Sequence, residues 1–115
     1  MTENCPFCKI IANKATSNVI YRDELVTAFW DRSPATPVHL LVVPNRHITS
    51  LNQVNEEDEG LLGHMVVVAK QLAKEQGVDH DGYRLVINTG PNSGQSVFHL
   101  HLHLIAGRLL PIHLG

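Results

Sequence analysis

The chain has 115 residues, 43% of them hydrophobic, and a formal net charge of −2 with histidines neutral. That suits one compact domain over residues 1–115 with its own core. It excludes a broad basic groove for nucleic acid, and the absence of any apolar run near about 18 residues excludes a membrane-spanning helix.

Met1-Thr2-Glu3-Asn4 has neither the basic start nor the apolar stretch of a signal peptide, so a cytoplasmic protein is the expectation. Cys5-Pro6-Phe7-Cys8 holds both cysteines. A disulfide is disfavoured in a reducing compartment, and no strand precedes the pair as a thioredoxin-like motif requires. Half of a metal site is the better reading, if two more ligands follow downstream. Residues 5–13 read as a short helix with Phe7, Ile10 and Ile11 on one apolar face. Val19–Tyr21 and Leu25–Trp30 read as strands joined by a hairpin turn at Arg22-Asp23-Glu24. Pro34 and Pro37 make residues 31–37 a loop. Val38–Val43 is a third strand, ended by Pro44-Asn45-Arg46-His47.

One long helix is expected from about Glu56 to Gln76, with Asn55 as N-cap and an acidic first turn. Leu61, Leu62, Met65, Val68, Ala69 and Leu72 form its buried stripe, and Gly77 is a natural terminator. His64 and His80 read as solvated. Tyr83–Asn88 is a fourth strand. Thr89–Ser96 is a glycine-containing loop whose backbone N–H groups can converge on an anion. Strands joined by hairpins and one long helix make the class α+β with an antiparallel sheet.

The loop delivers the chain into His99-Leu100-His101-Leu102-His103-Leu104-Ile105. Read as a strand, this puts three histidines on one face and Phe98, Leu100, Leu102 and Leu104 on the other. Neighbouring histidines then sit about 7 Å apart, so the two ends of the row can serve two different sites. Three histidines in strict alternation point to chemistry, because imidazole titrates near neutrality and serves as base, nucleophile or metal ligand. A tail follows from Gly107.

Gly94-Gln95-Ser96-Val97-Phe98-His99-Leu100-His101-Leu102-His103 resembles the motif of the histidine-triad (HIT) superfamily. Ala28-Phe29-Trp30-Asp31, Ser33-Pro34, His39–Pro44, His47-Ile48 and Gly82–Asn88 extend the resemblance to its Hint-like nucleotide-binding branch. The resemblance implies a single HIT domain whose five-stranded antiparallel sheet, with one long and one short helix, joins a partner's into ten strands across a homodimer. It implies hydrolysis of purine nucleoside phosphoramidates, with no organic cofactor. His101 is then the nucleophile that forms a nucleotidyl-histidine, a step that neutral imidazole can take at pH 7. His103 contacts the same phosphate, His39 orients His101, and Ser96 bonds the leaving nitrogen or the phosphate. Asn88, Gly94 and the backbone near Gln95 and Ser96 hold phosphate and ribose. Asp31 accepts the ribose hydroxyls, and Phe7, Ile10, Phe29 and Trp30 sandwich the base. Trp30 and Arg32 depart from the commoner pattern and bear on base preference. The tail, residues 109–115, also departs from the tails of that branch, and this bears on the leaving-group side.

Cys5, Cys8, His47 and His99 form a C-x2-C…H…H set suited to a closed, structural zinc site of the kind some HIT relatives carry. Three other readings stand beside this one. The first is a dinucleoside polyphosphate or nucleotidyl hydrolase on the same fold. The second is a zinc enzyme using His99, His101 and His39. The third is a non-catalytic nucleotide-binding dimer.

Overall fold

The computed structural model describes residues 4–112; the first three and last three residues, including the end of the tail, lie outside the described residues. Pro6–Ile11 forms helix α1, Val19–Arg22 strand β1, Val26–Trp30 β2 and Val38–Pro44 β3. Helix α2 spans Glu59–Glu75, and Tyr83–Val86 and Leu102–Ala106 are β4 and β5. The antiparallel sheet runs β1-β2-β3-β5-β4.

Alternation along the central strands decides what each face buries. Val26, Ala28, Leu40, Val42, Leu102 and Leu104 point towards α2, where they meet Met65, Val68, Ala69 and Leu72. Phe29, Leu41 and Val43 point the other way and pack under α1 against Phe7 and Ile10. The short helix thus roofs one sheet face, and the long helix covers the other.

The β1–β2 turn is built by Asp23. Its Oδ1 accepts the amides of Leu25 (2.7 Å) and Val26 (2.8 Å), while Oδ2 accepts Tyr21 Oη–H at 2.7 Å. His64 on α2 reaches the same Oδ2 at 2.6 Å, so this histidine is bound rather than solvated. Asn55 is the N-cap as expected, and a capping box with Asp58 accompanies it, but what it caps is a 3-10 turn, Glu56–Asp58, that leads into α2. Leu61 and Leu62 are only half-buried, and Ala73 completes the stripe instead. His80 is exposed, as expected.

The expected histidine strand is shorter than the seven residues of its pattern. Before Leu102 the chain leaves the ladder, because the Leu100 amide donates to Ile48 O (2.6 Å) rather than to β3. The alternation nevertheless persists, so Leu100 is buried with Leu102 and Leu104. Phe98 does not join them. It lies beyond the ordered alternation and is 61% exposed. Strand β4 also ends at Val86, two residues short of Asn88.

Candidate functional site

The three histidines do share a face, and the two ends of the row enter two clusters. At one end His99 is fully buried beside Cys5, Cys8 and His47, whose donor atoms all lie within 4.8 Å of one another. Cys5 is the N-cap of α1, and its Sγ accepts the Cys8 amide at 3.3 Å. Pro6 at the first helical position and this cap fix the helix start, turning both thiols to one side. Sγ-to-Nδ1 distances are 3.3 Å for Cys5–His99, 3.2 Å for Cys8–His47 and 3.5 Å for Cys8–His99. Tetrahedral zinc with ordinary bond lengths holds such atoms about 3.6 Å apart. These three pairs therefore fit zinc with adjustments of a few tenths of an ångström, and the remaining donor pairs lie within 4.8 Å. His99 Nε2–H donates to Pro44 O (2.8 Å), which leaves its Nδ1 lone pair facing the thiols.

At the other end His101 and His103 line a cleft of about 450 Å³ between α1 and the sheet, with Phe7, Ile10, Phe29, Asp31 and Leu41. Their rings meet edge to face, centroids 4.9 Å apart. Ser96 lies on the same wall, exposed.

Backbone groups have fixed polarity, so they decide the tautomers. His101 Nδ1 lies 2.7 Å from His99 O and must donate to it. Its Nε2 is therefore an unprotonated lone pair. The Ala35 amide donates to His39 Nδ1 (3.0 Å), so His39 carries its proton on Nε2. That proton points at His103 Nδ1 (2.9 Å), with Asp31 Oδ2 also near at 3.4 Å. His103 in turn carries its proton on Nε2. The cleft thus holds one imidazole with a free lone pair beside one that donates. Burial lowers the pKa of both; for His103, burial reinforced by the neighbouring His101 and His39 pushes it to about 4. Both rings are neutral at pH 7.

Several expectations change. His39 pairs with His103, not with His101. In the β3–β5 register Leu41 faces His103, so His39 is one diagonal step from His103 and a further two residues from His101. The carbonyl of His99 does the orienting of His101 instead. An open metal at His99, His101 and His39 is not assembled, and His39 Nε2 is already protonated towards His103.

Trp30 is on the wrong side of the sheet. It packs with the α2 core, because it alternates with Phe29, which does line the cleft. Asp31 reaches the cleft, although its Oδ1 is already held by the Ser33 amide at 2.8 Å. Gln95 is structural. Its side chain donates to Thr49 O and Val97 O and accepts the Gly90 amide, and its own amide donates to Gly90 O. Asn88 and Gly94 are off the cleft wall. Gly90 (φ +84°) and Gly94 (φ +87°) bracket a 3-10 turn, Pro91–Ser93, that only glycines close without strain. Residues that sequence reading passed over are Leu41 and Val97 on the wall, and the Pro44 carbonyl and Ala35 amide behind the histidines. Alternation with His39 marks Leu41; nothing in a sequence marks a backbone partner.

Residues 4–110 match the family model described as scavenger mRNA decapping enzyme C-term binding. The chain is 46% identical over 110 residues to the purine nucleoside phosphoramidase of Escherichia coli (strain K12), covering 96% of this chain and 92% of that one. A HIT family hydrolase from Legionella pneumophila Philadelphia 1 superposes with a TM-score of 0.94 at 42% identity, covering 97% of this chain and all of that one. A Zn-bound histidine triad family protein from Mycobacterium smegmatis superposes with a TM-score of 0.81 at 32% identity, covering 94% and 78%.

Proposed function

The chain belongs to the histidine-triad family, and from that premise we propose that it is a purine nucleoside phosphoramidase, a hydrolase of phosphorus–nitrogen bonds. The observation that carries the reading is the pair of tautomers at His101 and His103. His101 Nε2 attacks the phosphorus of a nucleoside monophosphate amide. The P–N electron pair leaves with the amine, and the bond to His101 forms in its place. Exposed Ser96 hydrogen-bonds the departing nitrogen or the phosphate, and the departing nitrogen takes its proton from solvent. His103 Nε2–H bonds a phosphate oxygen, and its proton lies where charge develops. His39 holds His103 in that tautomer. Water then cleaves the nucleotidyl-histidine and frees the monophosphate and His101.

Asp31 accepts ribose hydroxyls through Oδ2, while Phe7, Ile10 and Phe29 cover the base. Asn88 and Gly94 contribute only if the loop closes on the phosphate. Cys5, Cys8, His47 and His99 would hold zinc, which supplies a structural tie with no open coordination position. The β4 edge, with all four residues half-buried, is the strand that would pair across a homodimer. The family match over residues 4–110 supports a single domain. Free thiols at Cys5 and Cys8 favour the cytoplasm. No helix among the described residues is long and apolar enough to cross a membrane.

The test is steady-state hydrolysis of an adenosine phosphoramidate by wild type and His101→Ala, with chelator in both. The variant is expected to lose roughly ten-thousandfold or more in kcat/KM. Equal rates would remove His101 as nucleophile. Binding of adenosine monophosphate without turnover would leave a binding module, and faster turnover of diadenosine polyphosphates would favour the other hydrolase.

A further inference from the structure

The cleft wall carries two cations, Lys9 on α1 and Arg32 just after β2. Both are exposed, and neither side chain makes a hydrogen bond or ion pair among the described residues. Arg22 donates to Ile11 O, Arg46 to Asp58 and Arg108 to Leu109 O and Ala35 O, while Arg84, also without such a partner among the described residues, is off the cleft wall. Arg32 is thus a free guanidinium held at the cleft by its neighbour Asp31, whose carboxylate caps the Ser33 amide.

The position along the cleft gives this cation a meaning, which rests on the nucleotide reading above. His101 and His103 mark the phosphate end, and Asp31 marks the ribose. A 5′-nucleotide runs phosphate, ribose, base. The base would therefore lie beyond Asp31, by Ile10 and Phe29, and Arg32, next to Asp31 in the chain, and Lys9, next to Ile10, line the same cleft. Both side chains are donors only. A 6-oxopurine presents two adjacent acceptors, O6 and N7, which match the fork of an arginine. Adenine presents N7 beside an amino group, so a donor there faces a donor and one contact goes unmet.

We propose that Arg32, with Lys9 beside it, makes this a site for 6-oxopurine nucleotides, guanosine and inosine, in preference to adenosine. The discrimination acts through O6 and N7, not through the 2-amino group that guanine alone carries. A bidentate contact of this kind is expected to give a preference of about tenfold.

The test is calorimetric binding of the 5′-monophosphates of inosine, guanosine and adenosine at one fixed salt concentration, to wild type, Arg32→Met and Arg32→Gln. Monophosphates lack the scissile bond, so binding is read without turnover. The expected result is that inosine and guanosine monophosphates bind wild type about tenfold more tightly than adenosine monophosphate. In both variants the ratio should fall to about twofold or less. Arg32 is exposed and unpartnered, so unchanged melting temperatures are expected to accompany the loss, and either variant suffices.

Equal wild-type affinities for inosine and adenosine monophosphates would overturn the proposal, as would a preference for guanosine monophosphate alone. So would an equal loss for all three ligands in the variants, which would make Arg32 a general anion attractor. Failure of all three to bind wild type would overturn the nucleotide reading itself, and this inference with it.

Discussion

The chemistry of the cleft is set by where four protons sit. Two backbone carbonyls, of Pro44 and His99, and one backbone amide, of Ala35, orient His99, His101 and His39, and His39 passes its orientation to His103. A backbone partner cannot reverse its polarity, so this arrangement needs no auxiliary carboxylate behind the nucleophile. His39→Ala leaves His103 free to take either tautomer and is expected to lower kcat by roughly 10- to 100-fold. His39→Gln, whose amide can still donate to His103 Nδ1, should recover part of that loss. If His39 acted only as a buried packing partner, both variants would be lowered equally. Burial, then the neighbouring His101 and His39, hold His103 near 4 against an ordinary 6.5. The neutral ring is thereby kept well into acid. Protonation at Nδ1 sets it against His39 Nε2–H and breaks the pair. The acid limb of kcat/KM for wild type should therefore lie well below pH 6.5, and His39→Ala should move it upward. A wild-type limb at 6.5 would count against this role.

At the scale of elements, single-residue alternation sorts function from packing. On β2 Phe29 faces the cleft and Trp30 the α2 core, while on β3 His39, Leu41 and Val43 share the cleft side and Leu40 and Val42 oppose them. The β1–β2 hairpin turns on Asp23, which binds two turn amides, Tyr21 and His64 at once. Burial opposes its ionisation, but the bonds from His64, Tyr21, Val26 and Leu25 outweigh it and hold the carboxyl well below the usual range. Between that depressed value and an unfolded value of about 3.9, the unfolded chain binds more protons. The Asp23 contribution is therefore fully present above about pH 4 and is lost as pH falls further. Asp23→Ala should cost about 2 kcal/mol at pH 7 by urea unfolding. The gap from wild type should narrow at pH 2.5. A gap independent of pH would mean that Asp23 acts by packing alone.

At the scale of the molecule, one row of histidines joins two centres under a single roof. Helix α1 buries Phe7 and Ile10 over the sheet, and its first turn carries both thiols to His47 and His99. Zinc bound there would fasten the cleft wall that Phe7 and Ile10 form. Native mass spectrometry is expected to give twice the 12.8 kDa chain mass plus two zinc ions. Cys8→Ser should lose the metal and lower the melting temperature by several degrees. A metal-free wild type with the same melting temperature as Cys8→Ser would end the zinc proposal, and a single chain mass would end the dimer.

The sequence by itself determined the strand pairs around the Asp23 turn, the capped long helix and the Cys5–Cys8 pair as half of a metal set, which His47 and His99 complete only in the fold. Local periodicity, capping and spacing are properties of neighbouring residues, so a sequence carries them. It also placed His101 and His103 on one face, because alternation survives even where the ladder hydrogen bonds stop. Tertiary structure alone decided which histidine His39 serves, since that depends on the β3–β5 register. It alone revealed that His99 O, Pro44 O and the Ala35 amide choose the tautomers, because backbone groups are the same at every position until the fold selects a few. It turned Gln95 inward to bind three backbone groups, a burial that no polar residue announces in advance. Trp30 is the intermediate case. The alternation that removes it from the cleft was already written in β2, but the side that mattered was fixed only when α1 came down on Phe29.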